Sequence, residues 1–132
     1  MLEVKELPRD RLAVAWPLAR TVARHGNLES WQAAADLLIE RGGGIIAAEA
    51  HDGLLYGMAT YEAVDTPRAG RVLQVDTLVA FELSRKAPVR RVLSDALDRL
   101  AQRLACASVA VALPNRGFVA SRARPSVIPS SG

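Results

Sequence analysis

Arg85 and Lys86 stand in a short basic turn, Glu82 to Pro88, which joins a mostly apolar segment, VLQVDTLVAF, to a long amphipathic stretch beginning near Pro88. A strand that delivers a helix start beside cationic side chains can hold an anion. The first-turn N–H groups lack intrahelical partners, and the positive end of the helix dipole points the same way. Phosphate-bearing ligands suit such a place. An ordinary strand–turn–helix unit with solvated arginines is the alternative. The other reactive side chains are scattered. His25 adjoins a helix-ending glycine, His51 lies in a turn, and Ser84 reads as a helix cap. No Cys/His or carboxylate pair has metal-ligand spacing, so no metal is expected. Cys106 is the single cysteine; it lies where a helix runs into a strand, as a small buried apolar side chain would.

The elements that must position these residues follow from periodicity. Leu2 to Leu7 alternates as a short edge strand and Pro8 closes it. Asp10 can cap a helix through about His25, which Pro17 should kink or split. A second helix, about Leu28 to Arg41, has Asn27 or Ser30 as its cap. Its apolar face is Leu28, Trp31, Ala35, Leu38 and Ile39, and glycines 42–44 end it. A three-strand meander follows: Ile45 to Ala50, Leu54 to Val64 and Val72 to Phe81, with turns at His51-Asp52-Gly53 and at 65–70. Gly57, inside the middle strand, points to a bulge or a close backbone approach. Pro88 to Ala105 carries the clearest helical period, through Val89, Val92, Leu93, Ala96, Leu97, Leu100, Ala101 and Leu104. The strand Ser108 to Leu113 comes next. The order β-α-α-β-β-β-α-β specifies an α+β domain with a mixed, mainly antiparallel sheet flanked by helices. The domain is expected over 1–114, with 115–132 as an Arg-containing tail that is flexible or docks on a partner.

Composition narrows the function. The chain has 132 residues, enough for one domain, and 50% of them are hydrophobic. The net charge of +3 resides in Arg116, Arg122 and Arg124, which leaves residues 1–114 balanced. A nucleic-acid binder would carry its basic excess on a folded face with aromatics nearby, so nucleic acid is not an expected partner. No apolar run is long enough to span a bilayer and the N-terminus has no signal-peptide pattern, so a cytoplasmic protein without a membrane partner is expected.

The element order is similar to that of the GNAT superfamily of acyl-CoA-dependent N-acetyltransferases, from Leu2 to about Asn115. Within it, LVAFELSRKAPVRRVLSDAL (78–97) resembles the family's central motif: a strand end, an arginine with a glycine-rich turn, and a helix with paired apolar residues. Arg85 takes the motif arginine, Val89 the apolar position between the last two glycines, and Leu93 and Leu97 the helix face. The resemblance implies transfer of an acetyl group from acetyl-CoA to a small-molecule or peptide amine. It places the donor on Leu78, Val79, Ala80, Arg85, Lys86, Val89 and Arg90, and on Asn115, which resembles an asparagine that ends the family's fifth strand. It also implies a carboxylate base on the strand before the motif. Asp76 is the one acidic residue there, Glu62 on the preceding strand is the second candidate, and a solvent-facing carboxylate paired with an arginine is the alternative for both.

The chain departs from the pattern at Lys86, Pro88 and Arg90, where the family has small residues. Glycine there lets a pyrophosphate approach the backbone; Pro88 has no N–H to offer and Arg90 adds bulk. A non-catalytic interaction or regulatory module that has lost coenzyme A binding is therefore the alternative function. The family's helix after the fifth strand is also missing, and no tyrosine stands where its general acid often does. That would leave SVAVAL with a free edge and an uncovered face, for which a homodimer is the expected cover.

Overall fold

A computed structural model describes residues 2–22, 26–82, 88–113 and 117–122, the last six and Leu113 through their backbone. The first strand, β1 (Leu2–Glu6), leads through Pro8 into a 3-10 helix, Arg9–Ala15, and a single-turn helix, α1 (Trp16–Ala19). The expected split at Pro17 is there, with a 3-10 turn in place of the first helical half. Pro17 falls in the first turn of α1, where a missing N–H costs nothing, so the chain restarts its helix there. Pro8, not Asp10, precedes the first helical residue, and Asp10 lies in the first turn.

Helix α2 (Leu28–Glu40) begins as its sequence specifies: the Asn27 side chain accepts from the Ser30 N–H at 2.7 Å. Gly42, at φ 93°, ends it in the left-handed region that glycine takes without cost. Strands β2 (Gly44–Ala50), β3 (Leu55–Thr66) and β4 (Gly70–Ala80) form the meander. Helix α3 (Val89–Arg103) and strand β5 (Ser108–Leu113) follow, and a further strand, β6 (Gly117–Arg122), pairs with β5. Residues 117–122 lie in the segment expected to be a flexible or partner-docking tail. Their strand character comes from the open ladder of β5, a long-range cause that local composition does not carry. With β6 in place the outer edge of β5 is already paired within the chain, which removes the free-edge argument for a homodimer.

The sheet order is β1-β2-β3-β4-β5-β6, antiparallel throughout except for the parallel pair β4–β5. Helices cover both faces. On one, α3 packs Leu93, Leu97, Leu100 and Ala101 against Ala48, Ala59, Leu73 and Val75, with Cys106 buried at its end. On the other, Leu12, Leu18, Trp31 and Ala35 cover Ile45, Ala47, Met58 and Val79. The Trp31 indole N–H donates to the Leu12 carbonyl at 2.8 Å, which satisfies its one polar atom inside that layer. Gly57 is the expected close approach. A Cβ there would lie 2.6 Å from Val89 Cγ1, 2.8 Å from the Val79 carbonyl and 2.9 Å from Leu93 Cδ1. Helix α3 thus rests directly on the β3–β4 backbone.

Candidate active site

Strand β4 carries the site, and its register explains why. It pairs with β5 only from Val72 to Val75, opposite Ser108 to Val111. It then continues through Asp76 to Ala80 beside β3 alone, among the described residues. The parallel pairing therefore ends just before Asp76. At the same residue the ladder with β3 is irregular: Tyr61 faces Val75 and Thr60 faces Thr77, so Asp76 is the extra residue of a β-bulge.

The bulge shifts the strand's alternation by one. Leu73 and Val75 face α3 before it, whereas Leu78 and Ala80 face α3 after it. Thr77 and Val79 turn to the α2 face instead, where Val79 joins the second core cluster. Asp76 and Thr77 consequently open together onto one pocket. This cavity, about 380 Å³, lies between α2 and the β3–β4 hairpin. Trp31, Leu37 and Leu38 supply its apolar wall, and Glu62, Asp76 and Arg41 its charges.

Two polar contacts define the pocket floor. The buried Thr60 hydroxyl accepts the Thr77 N–H at 3.1 Å, so the amide freed by the bulge is already bonded. Arg41 donates to Glu62 at 3.2 Å, the arginine-paired arrangement set out as the alternative for that carboxylate. Asp76 is exposed at the pocket mouth and has an interaction of its own. On the opposite face of β3, Tyr61 is 7% exposed and its hydroxyl donates to the Glu6 carboxylate at 2.8 Å. Burial first, and that bond second, push the Tyr61 hydroxyl well above its ordinary pKa, so it keeps its proton and serves the fold, not proton transfer.

The start of α3 differs from the expectation in one decisive contact. The Glu82 carboxylate accepts from the Val89 N–H through one oxygen and from the Arg90 N–H through the other, both at 2.8 Å. Pro88 precedes them as the cap residue; it has no N–H, and no side chain of its own caps the helix. Val89 is 2% exposed and packs into the core over Gly57, while Arg90 points to solvent. Leu78, Val79 and Ala80 line the strand end beyond the bulge, where β4 has left β5. Arg85, Lys86 and Asn115, together with His25 and Ser84, lie outside the described residues. Glu82 was missed by sequence reasoning. The available signal was an acidic residue just upstream of a helix whose cap position is a proline.

Among the described residues no group of His, Cys, Asp and Glu could hold a metal ion, and no helix is long and apolar enough to cross a membrane. No protein-family profile and no curated protein matches the sequence. Solved structures do. A ribosomal-protein-alanine N-acetyltransferase from Brucella melitensis biovar Abortus 2308 superposes with a TM-score of 0.71 at 20% identity, covering 88% of this chain and 82% of that one. An aminoglycoside N-acetyltransferase in complex with CoA gives 0.73 at 15% identity, covering 87% and 78%. An aminoglycoside 6'-N-acetyltransferase from Acinetobacter baumannii gives 0.72 at 11% identity, covering 100% and 99%. The fold is GNAT-like, in agreement with the element order read from the sequence.

Proposed function

We propose that this chain is an N-acyltransferase that moves an acetyl group from a thioester donor to an amine held in the pocket between α2 and β3–β4. The observation that carries the reading is the bulge at Asp76. It lies just past the end of the β4–β5 ladder and puts a carboxylate in the lining of the cavity. A primary amine is protonated at neutral pH, with a pKa of about 10. Two carboxylates against one guanidinium in the lining favour such a cation, and the apolar wall favours a hydrocarbon or aromatic body attached to it. Transfer needs the free amine, so a base must remove a proton before the nitrogen lone pair attacks the acyl carbon. Asp76 takes that proton, directly or through one water. Glu62, held by Arg41, orients the amine and does not act as the base.

The test is acetyl transfer to a panel of primary amines, followed as thiol release. Asp76→Asn should lower the rate roughly 100- to 10,000-fold. Absence of transfer to every amine, or full activity in the Asn variant with its fold intact, refutes the reading. One observation favours a second reading, a non-catalytic module: the Glu82 carboxylate fills the α3 amides that a diphosphate would use. A chain that transfers no acetyl group from any thioester but binds a protein partner through the α2 face would establish it.

A further inference from the structure

The first turn of α3 does not fit a coenzyme A diphosphate as it stands. Among the described residues at that end, the Val89 and Arg90 N–H groups donate to Glu82, and Pro88 has none. We infer that Glu82 determines donor choice: its carboxylate shuts the diphosphate out of the α3 N-terminus, and the chain selects an acyl donor by its thioester arm alone. The inference rests on the acyltransferase reading above.

The geometry is that of a bound anion. Both oxygens of one carboxylate engage two successive backbone N–H groups at equal distances, the pattern a phosphate adopts at a helix start. Glu82 is part of the same chain, so it competes as an intramolecular ligand at high effective concentration. A diphosphate entering this turn meets a fixed negative charge and must break both bonds, with no proline N–H to offer in return. The end of the β4–β5 ladder after Val75 is set by strand register, separately from the Glu82 contact. The same contact also caps α3, which Pro88 cannot do, so the fold and the exclusion share one side chain.

The experiment is calorimetric titration of the full chain with coenzyme A and with pantetheine, which lacks the diphosphate. Wild type should bind the two within about threefold of each other. Glu82→Gln removes the charge, and Glu82→Asp withdraws the carboxylate by one methylene. Either variant that keeps its circular dichroism should bind coenzyme A at least tenfold more tightly than wild type, with pantetheine unchanged. A wild type that prefers coenzyme A tenfold or more overturns the inference, as does a folded Gln variant with no gain. Acetyl transfer from S-acetylpantetheine separates this from the function itself. If the Gln variant gains coenzyme A affinity while neither protein acetylates any amine, the acyltransferase reading fails and the exclusion by Glu82 stands.

Discussion

Gly57→Ala should unsettle the contact that sets the height of α3 over the sheet. Its new Cβ would stand 2.6 Å from Val89 Cγ1, 2.8 Å from the Val79 carbonyl oxygen and 2.9 Å from Leu93 Cδ1. Ordinary carbon contacts lie at about 3.5–4.0 Å, so each neighbour must retreat by roughly 1 Å. The leucine methyl can rotate away. The carbonyl belongs to β4 and is fixed by its ladder with β3, and Val89 sits at the first turn of α3 in a site 2% exposed. The substitution therefore lifts the α3 N-terminus or strains β4. Overpacking of this kind costs about 1–3 kcal/mol. The gain from a less flexible unfolded chain, about 0.4–1 kcal/mol, offsets part of it. Urea unfolding at constant m should give a net loss of up to roughly 2.6 kcal/mol. Val89→Ala alone removes buried methyls and is also destabilising. Combined with Gly57→Ala it makes room for the new Cβ, so the double variant should lose less than the two single losses added. A Gly57→Ala protein more stable than wild type, or strict additivity in the cycle, would refute the proposed close packing of α3 on β3.

Two further outcomes follow from the polar contacts. Thr60→Val deletes the acceptor of the buried Thr77 N–H and should cost about 1–3 kcal/mol, while Thr60→Ser should recover most of it; equal losses for the two would mean the hydroxyl is not what holds the bulge. Tyr61 has a raised pKa in the folded state, so the unfolded chain releases its phenolic proton first as pH rises past its ordinary value of about 10. The folded state then binds more protons than the unfolded one, and stability falls with pH above that point. Urea midpoints between pH 8 and 11 should show this decline, and Tyr61→Phe should flatten it.

Local rules located most of the fold. The face of α3, the Asn27 cap, the break at Pro17 and the burial of Cys106 each depend on residues within a turn or two of one another, where periodicity and capping chemistry act. The site was less legible because it depends on register. Asp76 is recognisable as the one carboxylate of its strand. That it occupies a bulge follows from pairing with Thr60 and Tyr61, and only the exchange of Leu73 and Val75 for Leu78 and Ala80 on the α3 face betrays it. The wall of the pocket comes from α2, some forty residues upstream, so no spacing rule joins Trp31 or Leu38 to Asp76. Strand β6 escaped for the same reason, since it exists through its partner. At the α3 turn the sequence pointed to an anion site, and the chain supplies the anion itself.

The way the sheet ends has a consequence for self-association. One border is β1, where exposed Glu3 and Lys5 form an ion pair. Charged side chains on an edge strand lose hydration when another strand adds beside them, so fibril growth by edge addition is hindered there. The other border of the sheet among the described residues is the backbone of β6, which pairs with β5. Stripping β6 away would bare the ladder of the more apolar SVAVAL, the edge on which extension by another strand is least hindered by charge.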